Sequence, residues 1–501
     1  MRPEPITNMD AAILNVEDPT APDTMGLLLL FDGKLNETEL LERIEQNWLQ
    51  YPRYRQRVRR RSLGRMEWVE DRSFDLRSHF RRVAVPSPHD QGALGRTVGE
   101  LMAMLLDRSK PLWTMHLIEG GSEGDALLIR VHHAIGDGVT LLKTGLSLFK
   151  AEPPPPPPRK LFIERLIEPI AEAVETTQAV RGWLKEQRMQ GLPKAADLLA
   201  RAEKVTELAV KLFPLVQDPR TILTGPLTRR KAVAWTPPVP TLDIKRVARA
   251  FDVTVNDLML AVIAGGLRRY FIEQGERVPK VLHASVPVYL SQTLKTGNNF
   301  GLVLAPLPIG EPDPRERIMK IHQAMERLKQ SPEAAITASV FNTAGRFPSG
   351  LVSRMFMEVS RKASLIVTNV PGSPHKLKLA GATLEHVVPL VPLSGDIGLG
   401  IAIASYNRHL SLGIQADRER IKPNMRAFIE LLRAEFALLT ALADEEVSPH
   451  SEHQQCAALT LKGTRCRNRA RKGHMTCAAH AELEETLRET TVDGRTTLVK
   501  G

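Results

Sequence analysis

The chain has 501 residues, 43% of them hydrophobic, and a formal net charge of +11. This length is sufficient for two domains with a substantial core, and no apolar run approaches the roughly 20 residues that span a bilayer. Residues 1–20 carry acidic side chains and no basic stretch followed by an apolar one, so we expect a cytoplasmic protein without a secretory signal.

The basic excess and the placement of the cysteines narrow the class of protein further. A net positive charge is typical of chains that bind nucleic acid, anionic lipid or an acidic substrate, and also of a solvated basic surface without a partner. No nucleic-acid-binding motif accompanies the charge, so we expect no nucleic acid partner. All three cysteines follow residue 450, which excludes a disulfide framework in the main body.

Strands and helices alternate in the first part of the chain. Residues 27–31 predict a strand that ends at the turn Asp32-Gly33, and residues 126–131 predict a second, strongly apolar strand. Residues 37–48 and 94–106 carry apolar side chains at helical spacing. The order predicts a mixed α/β fold.

The second of these strands runs directly into a stretch that carries chemistry: His132-His133-Ala134-Ile135-Gly136-Asp137-Gly138. Successive side chains of a strand point to opposite faces, so the two histidines cannot face one cavity. One is therefore available as a base, because neutral imidazole titrates near pH 6.5, and the other is structural. Asp-Gly suits a turn before a helix near Val139, where the aspartate either orients a ring or braces the loop.

A run of six prolines, residues 153–158, interrupts the α/β order. Proline cannot continue a helix and favours a stiff extended segment, so we interpret the run as a spacer, with a ligand for a proline-binding domain as the alternative. Residues 163–213 then show helical spacing with an apolar stripe within residues 198–209. The stripe packs on the protein body or lies on a lipid surface, and we favour packing.

The second half begins near Thr228. Residues 281–288, 364–367 and 397–404 predict strands, and residues 255–270, 314–328 and 423–442 predict helices. Asn256 stands near the start of the first of these helices. It is a candidate oxyanion donor or channel-organising residue, and equally a candidate N-cap.

The end of the chain is dense in arginine and lysine and contains four possible zinc ligands: Cys456, Cys466, Cys477 and His480. The Cys-x2-His spacing suits chelation, and a Cys3His zinc site is chemically reasonable. The two longer gaps favour a disordered basic tail with free thiols instead.

Several motifs, in order along residues 5 to 445, resemble the bacterial wax ester synthase/acyl-CoA:diacylglycerol acyltransferase family. HHxxxDG alone is shared with condensation domains and other acyltransferases, so the accompanying motifs distinguish the family. They are Phe74-Asp75-Leu76 with His79 and Arg81, Asp107-Arg108-Ser109-Lys110-Pro111-Leu112-Trp113, Asn256-Asp257, Gly297-Asn298 and Asn369-Val370-Pro371-Gly372. Two regions depart from the family pattern. Pro287-Val288-Tyr289-Leu290-Ser291-Gln292 lacks the usual arginine, and the opening around Asp10 and Glu17 matches only loosely.

The resemblance implies a two-domain CoA-dependent acyltransferase fold, chloramphenicol acetyltransferase-like, with an interdomain channel. The changes in composition along the chain predict an N-terminal half with HHxxxDG (1–150), a proline-rich linker and helical crossover (151–227), a C-terminal half (228–445) and a basic Cys/His tail (446–501). The resemblance also implies transfer of a long-chain acyl group from acyl-CoA to diacylglycerol or a long-chain alcohol. Acyl-CoA is then a substrate, and we expect neither a further cofactor nor a metal at the site.

The same resemblance implies the site residues. His133 is expected to be the base, with His132, Asp137 and Gly138 supporting its loop and an arginine pairing with Asp137. The expected substrate-binding residues are Asn256, Asp257, Pro111, Trp113, Asn369 and Gly372. Two alternatives remain: a condensation-type enzyme that uses carrier-protein thioesters, and an inactive paralogue that only coats lipid droplets. We expect peripheral contact with an anionic membrane or a lipid inclusion.

Overall fold

The computed structural model describes residues 3–61, 65–149, 217–289, 298, 300–331, 337–338, 361–447, 487–492 and 495–500. The proline run, the helical segment 163–213, the three cysteines and His480 lie outside these residues. The chain divides into two compact units, residues 1–439 and residues 440–501. In the second unit, strands Leu487–Val492 and Arg495–Lys500 form an antiparallel hairpin, which the sequence did not predict.

The first unit contains two large sheets and one small one. Its strands are β1 Glu4–Pro5, β2 Thr24–Phe31, β3 Gln56–Arg60, β4 Met66–Glu70, β5 Phe80–Ala84, β6 Trp113–Glu119, β7 Ala126–His132, β8 Lys231–Trp235, β9 Val239–Pro240, β10 Leu282–Tyr289, β11 Phe300–Leu307, β12 Leu365–Pro371, β13 Lys378–Leu379, β14 Ala382–Leu390, β15 Leu399–Tyr406 and β16 His409–Asp417. The small sheet has the order β1-β4-β3.

The α-helices of the described residues are α1 Asn8–Val16, α2 Glu37–Arg43, α3 Gln91–Met102, α4 Gly138–Leu146, α5 Thr241–Ala250, α6 Val255–Glu273, α7 Pro314–Lys329 and α8 Met425–Val447. The helix predicted over residues 37–48 is present, but it changes at Ile44 into a π-helical turn that ends at Trp48. Among the described helices, none alone has the length and apolar composition to cross a bilayer. The pair α5 and α6, bent by 88°, meets that test only when taken together.

The N-terminal sheet has the order β13-β14-β2-β7-β6-β5. Its central strands β2 and β7 pair antiparallel from Thr24 opposite His132 to Leu30 opposite Ala126. Both are nearly continuous apolar runs because both faces of the sheet are covered. One face contributes Leu27 to the main core, and the other contributes Leu28 to a core shared with α3.

The C-terminal sheet has the order β11-β10-β12-β15-β16-β8, with β9 also paired to β16. Helix α3 of the N-terminal part packs directly on its edge strand β8. A Cβ on Gly95 would come 2.5 Å from the carbonyl oxygen of Val233, and one on Gly99 would come equally near that of Lys231. The two glycines therefore permit a close contact between the two parts of the unit.

Strand β14 makes a second connection between the two parts of the unit, by backbone hydrogen bonds. It belongs to the range 228–445 by sequence, yet it pairs antiparallel with β2 in the N-terminal sheet, with Leu390 opposite Gly26. The short strand β13 extends that sheet by one further position. The N-terminal sheet is thus completed by residues from the C-terminal part of the chain.

Candidate active site

The two histidines of the HHxxxDG stretch occupy different environments, as strand alternation predicts. Strand β7 ends at His132, and a 3-10 turn begins at His133. His132 is completely buried and shares its sheet face with Leu128, which packs against α3. His133 is half-buried, so its ring is the more accessible of the two.

One ring nitrogen of His132 is hydrogen-bonded, and the other faces a carboxylate. Its Nδ1 accepts a hydrogen bond from the backbone N–H of Ala134 at 3.0 Å, and its Nε2 lies 3.4 Å from Oε1 of Glu17. A nitrogen that accepts carries no proton, so this geometry assigns the proton to Nε2, which faces the carboxylate. His132 is therefore committed to the structure of the loop.

Glu17 is a site residue that the sequence did not single out. Besides His132, it accepts hydrogen bonds from Arg108 at 2.7 Å and from the backbone N–H of Asp23 at 3.1 Å. Burial alone would raise the pKa of Glu17, but hydrogen bonding with His132 and with the Arg108 guanidinium lowers it to about 2. Glu17 is consequently ionised at neutral pH and fixes the orientation of His132.

The backbone of His133 is fixed at three points. Its N–H donates to the carbonyl of Asp23 at 2.9 Å, and its own carbonyl accepts from Gly136 N–H at 3.2 Å and from Asn298 Nδ2 at 2.6 Å. The Asn298 amide also donates to Oδ1 of Asp10 at 2.7 Å. Asn298 comes from the C-terminal part, so the turn that carries His133 is held from both parts of the unit.

We expect Asn298→Ala to lower kcat about tenfold, because a small displacement of a reacting group is costly in rate. It should also lower the free energy of unfolding by about 1 to 3 kcal/mol, since the buried Asp10 carboxyl and the His133 carbonyl lose a donor. Steady-state kinetics and urea denaturation of the same preparation measure both effects. Destabilisation with unchanged kcat would limit Asn298 to joining the two parts.

Asp137 has a different partner from the one expected. Its Oδ1 accepts from the backbone N–H of Thr140 at 2.9 Å and from the Thr140 hydroxyl at 3.0 Å, which makes it the N-cap of α4. Among the described residues no arginine lies at ion-pair distance from Asp137, so an arginine partner stays a prediction. The helix N-terminus satisfies the carboxylate instead, through N–H groups and the positive end of the helix dipole.

Asp137→Ala should therefore lower the free energy of unfolding by about 1 kcal/mol, the usual cost of losing an N-cap. Asp137→Asn and Asp137→Ser retain a capping oxygen and should recover most of that loss. Chemical denaturation followed by circular dichroism compares the three variants. If asparagine were as harmful as alanine, the charge of Asp137, rather than its cap, would be its contribution.

Two glycines flank Asp137. A Cβ on Gly136 would lie 2.7 Å from the Thr140 side chain, so a larger residue there would disturb the cap. Gly138 is the first residue of α4, and a Cβ at this position would meet no atom within 4 Å. The space next to Gly138, at the N-terminus of α4, is therefore open.

Trp113 and Pro111 lie in the protein interior. Trp113 is completely buried, stacks against His79 with ring centroids 4.6 Å apart, and donates its indole N–H to the carbonyl of Tyr54 at 2.8 Å. Pro111 is also buried, and its carbonyl oxygen accepts a hydrogen bond from the backbone N–H of Trp113. The structure therefore gives both residues packing roles behind the site.

The start of helix α6 corrects one interpretation. Its N-cap is Thr254, whose hydroxyl accepts from Asp257 N–H while the Asp257 carboxylate accepts from Thr254 N–H, a reciprocal capping box. Asn256, a half-buried residue of the first turn, is not the N-cap, because Thr254 already occupies that position. Asp257 is fully buried and also bonds to Nδ1 of His322 at 2.8 Å, so it stabilises the helix and its packing on α7.

Asn369 and Gly372 lie at the end of β12. Asn369 is half-buried and pairs with Ile403 of β15, and a Cβ on Gly372 would collide with the carbonyl oxygen of Ser405. Gly372 also lines a narrow apolar pocket between α4, β2 and β14. The other lining residues are Leu27, Leu29, Leu142, Gly145, Leu146, Phe149, Ser373, Leu384, Val387 and Tyr406.

This pocket lies on the His133 side of the N-terminal sheet. Leu27 of β2 pairs with Ile129 of β7, and side chains of directly opposed residues share a face. His133 follows Ile129 by four positions, and every second residue of a strand points to the same face. The two side chains are therefore on the same side of the sheet. An apolar pocket and an accessible imidazole therefore occupy one face of the sheet.

Comparison with known proteins identifies the family to which this chain belongs. The family model described as the wax ester synthase/diacylglycerol acyltransferase catalytic domain matches residues 6–259, and its C-terminal companion matches residues 296–440. The chain belongs to the wax ester synthase/diacylglycerol acyltransferase family. This membership confirms the family that the sequence motifs indicated.

Relatives and solved structures agree with the assignment. The chain is 30% identical over 441 residues to a Mycobacterium tuberculosis protein named probable diacylglycerol O-acyltransferase tgs1, covering 82% of this chain and 90% of that one. The wax ester synthase/diacylglycerol acyltransferase structure from Marinobacter aquaeolei VT8 superposes with a TM-score of 0.64 at 25% identity, covering 88% of this chain and all of that one. A condensation domain of the calcium-dependent antibiotic synthetase matches at 0.55 and 15% identity over 90% of this chain and 98% of that one, which shows the fold alone. The predicted acyltransferase fold is confirmed.

Proposed function

We propose that this chain transfers a long-chain acyl group from acyl-CoA to diacylglycerol or a long-chain alcohol, with His133 as the general base. The observation that carries the proposal is the contrast between the two histidines. His132 is completely buried, with Nδ1 hydrogen-bonded and Nε2 facing Glu17, whereas His133 is only partly buried and its backbone is fixed by Asp23, Gly136 and Asn298. A catalytic side chain on a rigidly held turn is what a base requires.

The reaction needs few groups. His133 removes the proton of the acceptor hydroxyl while that oxygen attacks the thioester carbonyl carbon, and the carbonyl oxygen takes up negative charge. When the C–S bond breaks, the imidazolium gives its proton to the departing CoA thiolate, and the base is restored. No covalent acyl-enzyme and no further cofactor enter this sequence. Asn256 remains our candidate for the oxyanion donor.

The support for a lipid substrate is the family to which the chain belongs and the names of its relatives. The apolar pocket beside α4 is lined mainly by leucine, valine and aromatic side chains, but its free space is only about that of one water molecule, so it does not decide the substrate. The alternative of carrier-protein thioesters is supported only by fold likeness at 15% identity. The intact His133 opposes an inactive paralogue.

An assay of CoA thiol release tests the proposal. Purified full-length protein is given palmitoyl-CoA with hexadecanol or with dipalmitoylglycerol in separate reactions, and lipid products are identified by mass spectrometry. We expect thiol release that depends on the acceptor and matches ester formation one to one. Release without an acceptor would indicate a thioesterase, and absence of release with both acceptors would contradict the proposal.

We also propose that the protein reaches its insoluble acceptors by reversible adsorption to an anionic lipid surface or lipid inclusion. The support is the net charge of +11, because a basic surface near an anionic bilayer gains about 1 kcal/mol per charge at most. Sedimentation with phosphatidylglycerol vesicles should show binding at low salt and release near 1 M salt, where screening is strong. Binding that is equal with neutral phosphatidylcholine vesicles would contradict an electrostatic origin.

A further inference from the structure

Asp23 lies directly beside His133. Strand β2 begins one residue later, at Thr24, which is paired with His132 of β7. The hydrogen bond from His133 N–H to the Asp23 carbonyl, 2.9 Å long, extends this antiparallel ladder by one position. Residues directly opposed in an antiparallel pair place their side chains on one face, with Cβ atoms about 5 Å apart. The Asp23 carboxyl group is therefore on the same face as the His133 ring.

The surroundings of this carboxyl group are unusual. Asp23 is half-buried, and within the described part of the chain no N–H or O–H group donates to its carboxyl oxygens, although its backbone N–H is bound by Glu17. Burial raises the pKa of the Asp23 carboxyl group, and the nearby Glu17 carboxylate raises it further. The histidines His133 and His132 lower this pKa, but their effect is smaller than that of burial. A carboxyl group left without a structural partner in such a place is a candidate for a functional role.

The charged and titratable groups around it come from several elements. The end of β7 and the following turn contribute the two histidines, and the segment after α1 contributes Glu17, which is bound to Arg108. Further groups on neighbouring elements are engaged elsewhere: Asp10 with Asn298, Asp137 with Thr140, and Lys231 with Asp417. Of the described residues, His133 is thus the group on which Asp23 acts most directly.

We propose that Asp23 is a positioning residue whose carboxylate stabilises the imidazolium that forms on His133 during acyl transfer. The inference rests on the proposed function and adds a residue to it. The acceptor proton moves to His133 and creates a positive charge, which the adjacent carboxylate attracts. The same proton then passes to the CoA thiolate, and the charge is removed. Asp23 itself exchanges no proton with the substrate in this sequence.

Removal of the Asp23 charge should change both kcat and its dependence on pH. An adjacent negative charge favours the protonated imidazole. Without the Asp23 charge the protonated form of the base is less favoured, so the acid limb of the kcat profile should move towards lower pH by about one unit. The imidazolium of the transition state also loses its partner, so kcat at the optimum should fall about tenfold, since one pKa unit corresponds to a factor of ten.

The test compares Asp23→Asn with wild type. Asp252→Asn is the matched control, because it removes the same charge at an exposed position whose left-handed backbone, with φ of 54°, asparagine tolerates. For each protein, kcat and KM for acyl-CoA and acceptor are measured from pH 5 to pH 9, together with the melting temperature. We expect Asp23→Asn to show the lower kcat and the shifted acid limb with nearly unchanged KM, and Asp23→Glu to restore part of both.

Some outcomes would overturn the inference. A profile of Asp23→Asn that superposes on wild type, or a lower rate with an unmoved acid limb, would exclude an electrostatic action on His133. If Asp23→Asn does not fold, Asp23→Ser undergoes the same measurements. Activity of wild type and of Asp252→Asn is measured in parallel, so loss of the proposed function itself would be seen as inactivity of both.

Discussion

Replacing His133 with alanine should lower kcat by about 10² to 10⁴-fold while the protein remains folded. General-base catalysis supplies a factor of this size, and His132, the other histidine at the end of β7, is completely buried. The backbone contacts of residue 133 with Asp23, Gly136 and Asn298 do not involve the imidazole ring, so the turn should survive. Acceptor-dependent thiol release and the melting temperature, measured on one preparation, test both parts.

His132→Ala is the matched control for this variant. The ring of His132 is completely buried between Ala134 N–H and Glu17, so its loss should lower the melting temperature and the soluble yield together with activity. Turnover near wild type in folded His133→Ala would remove His133 from the mechanism. Loss of rate alone in His132→Ala, with an unchanged melting curve, would reverse the two assignments.

Glu17→Gln should produce the largest change in stability, about 3 kcal/mol at neutral pH. The pKa of Glu17 is about 2 in the folded protein, compared with 4.5 for an ordinary glutamate, and each unit of difference corresponds to 1.36 kcal/mol. Because the folded-state pKa is depressed, this stabilisation is fully present above pH 4.5 and is lost as the pH falls through 2. Glutamine cannot carry the charge that Arg108 and His132 face.

The pH dependence separates this effect from a packing defect. Urea denaturation of wild type and Glu17→Gln at several pH values between 7 and 3 should give a stability difference that decreases once the pH falls below 4.5. Glu42→Gln, at an exposed position of α2, serves as the control and should track wild type throughout. A difference between wild type and Glu17→Gln that stays constant with pH would show that shape, not charge, explains the loss.

Features governed by local rules could be predicted from the sequence. Strand alternation alone separated the environments of His132 and His133, because the two side chains of adjacent strand residues must diverge. Two further local patterns are present in the sequence: the Thr254-x-x-Asp257 spacing is typical of a capping box, and the spacing of Asp137 and Thr140 is typical of an N-cap.

Features that depend on long-range contacts could not be predicted in this way. Asp10 and Asn298 were recognised only as parts of family motifs, and no periodicity indicates that they meet beneath His133. Glu17 stands in the opening that matches the family only loosely, Asp23 belongs to no motif, and the position of Asp23 beside His133 depends on the register between β2 and β7. The family resemblance indicated the fold, whereas the contacts that hold the site join residues that are far apart in the sequence.

The pairing of β14 with β2 has a consequence for biosynthesis. At a translation rate of about 5 to 20 residues per second, Leu384 leaves the ribosome on the order of tens of seconds after Phe31, its partner across the ladder. During that interval the apolar strand β2 has an open edge, which is a template for pairing with other chains. The nascent protein should therefore depend on chaperones until residue 390 has emerged, and residues 1–150 expressed alone should aggregate.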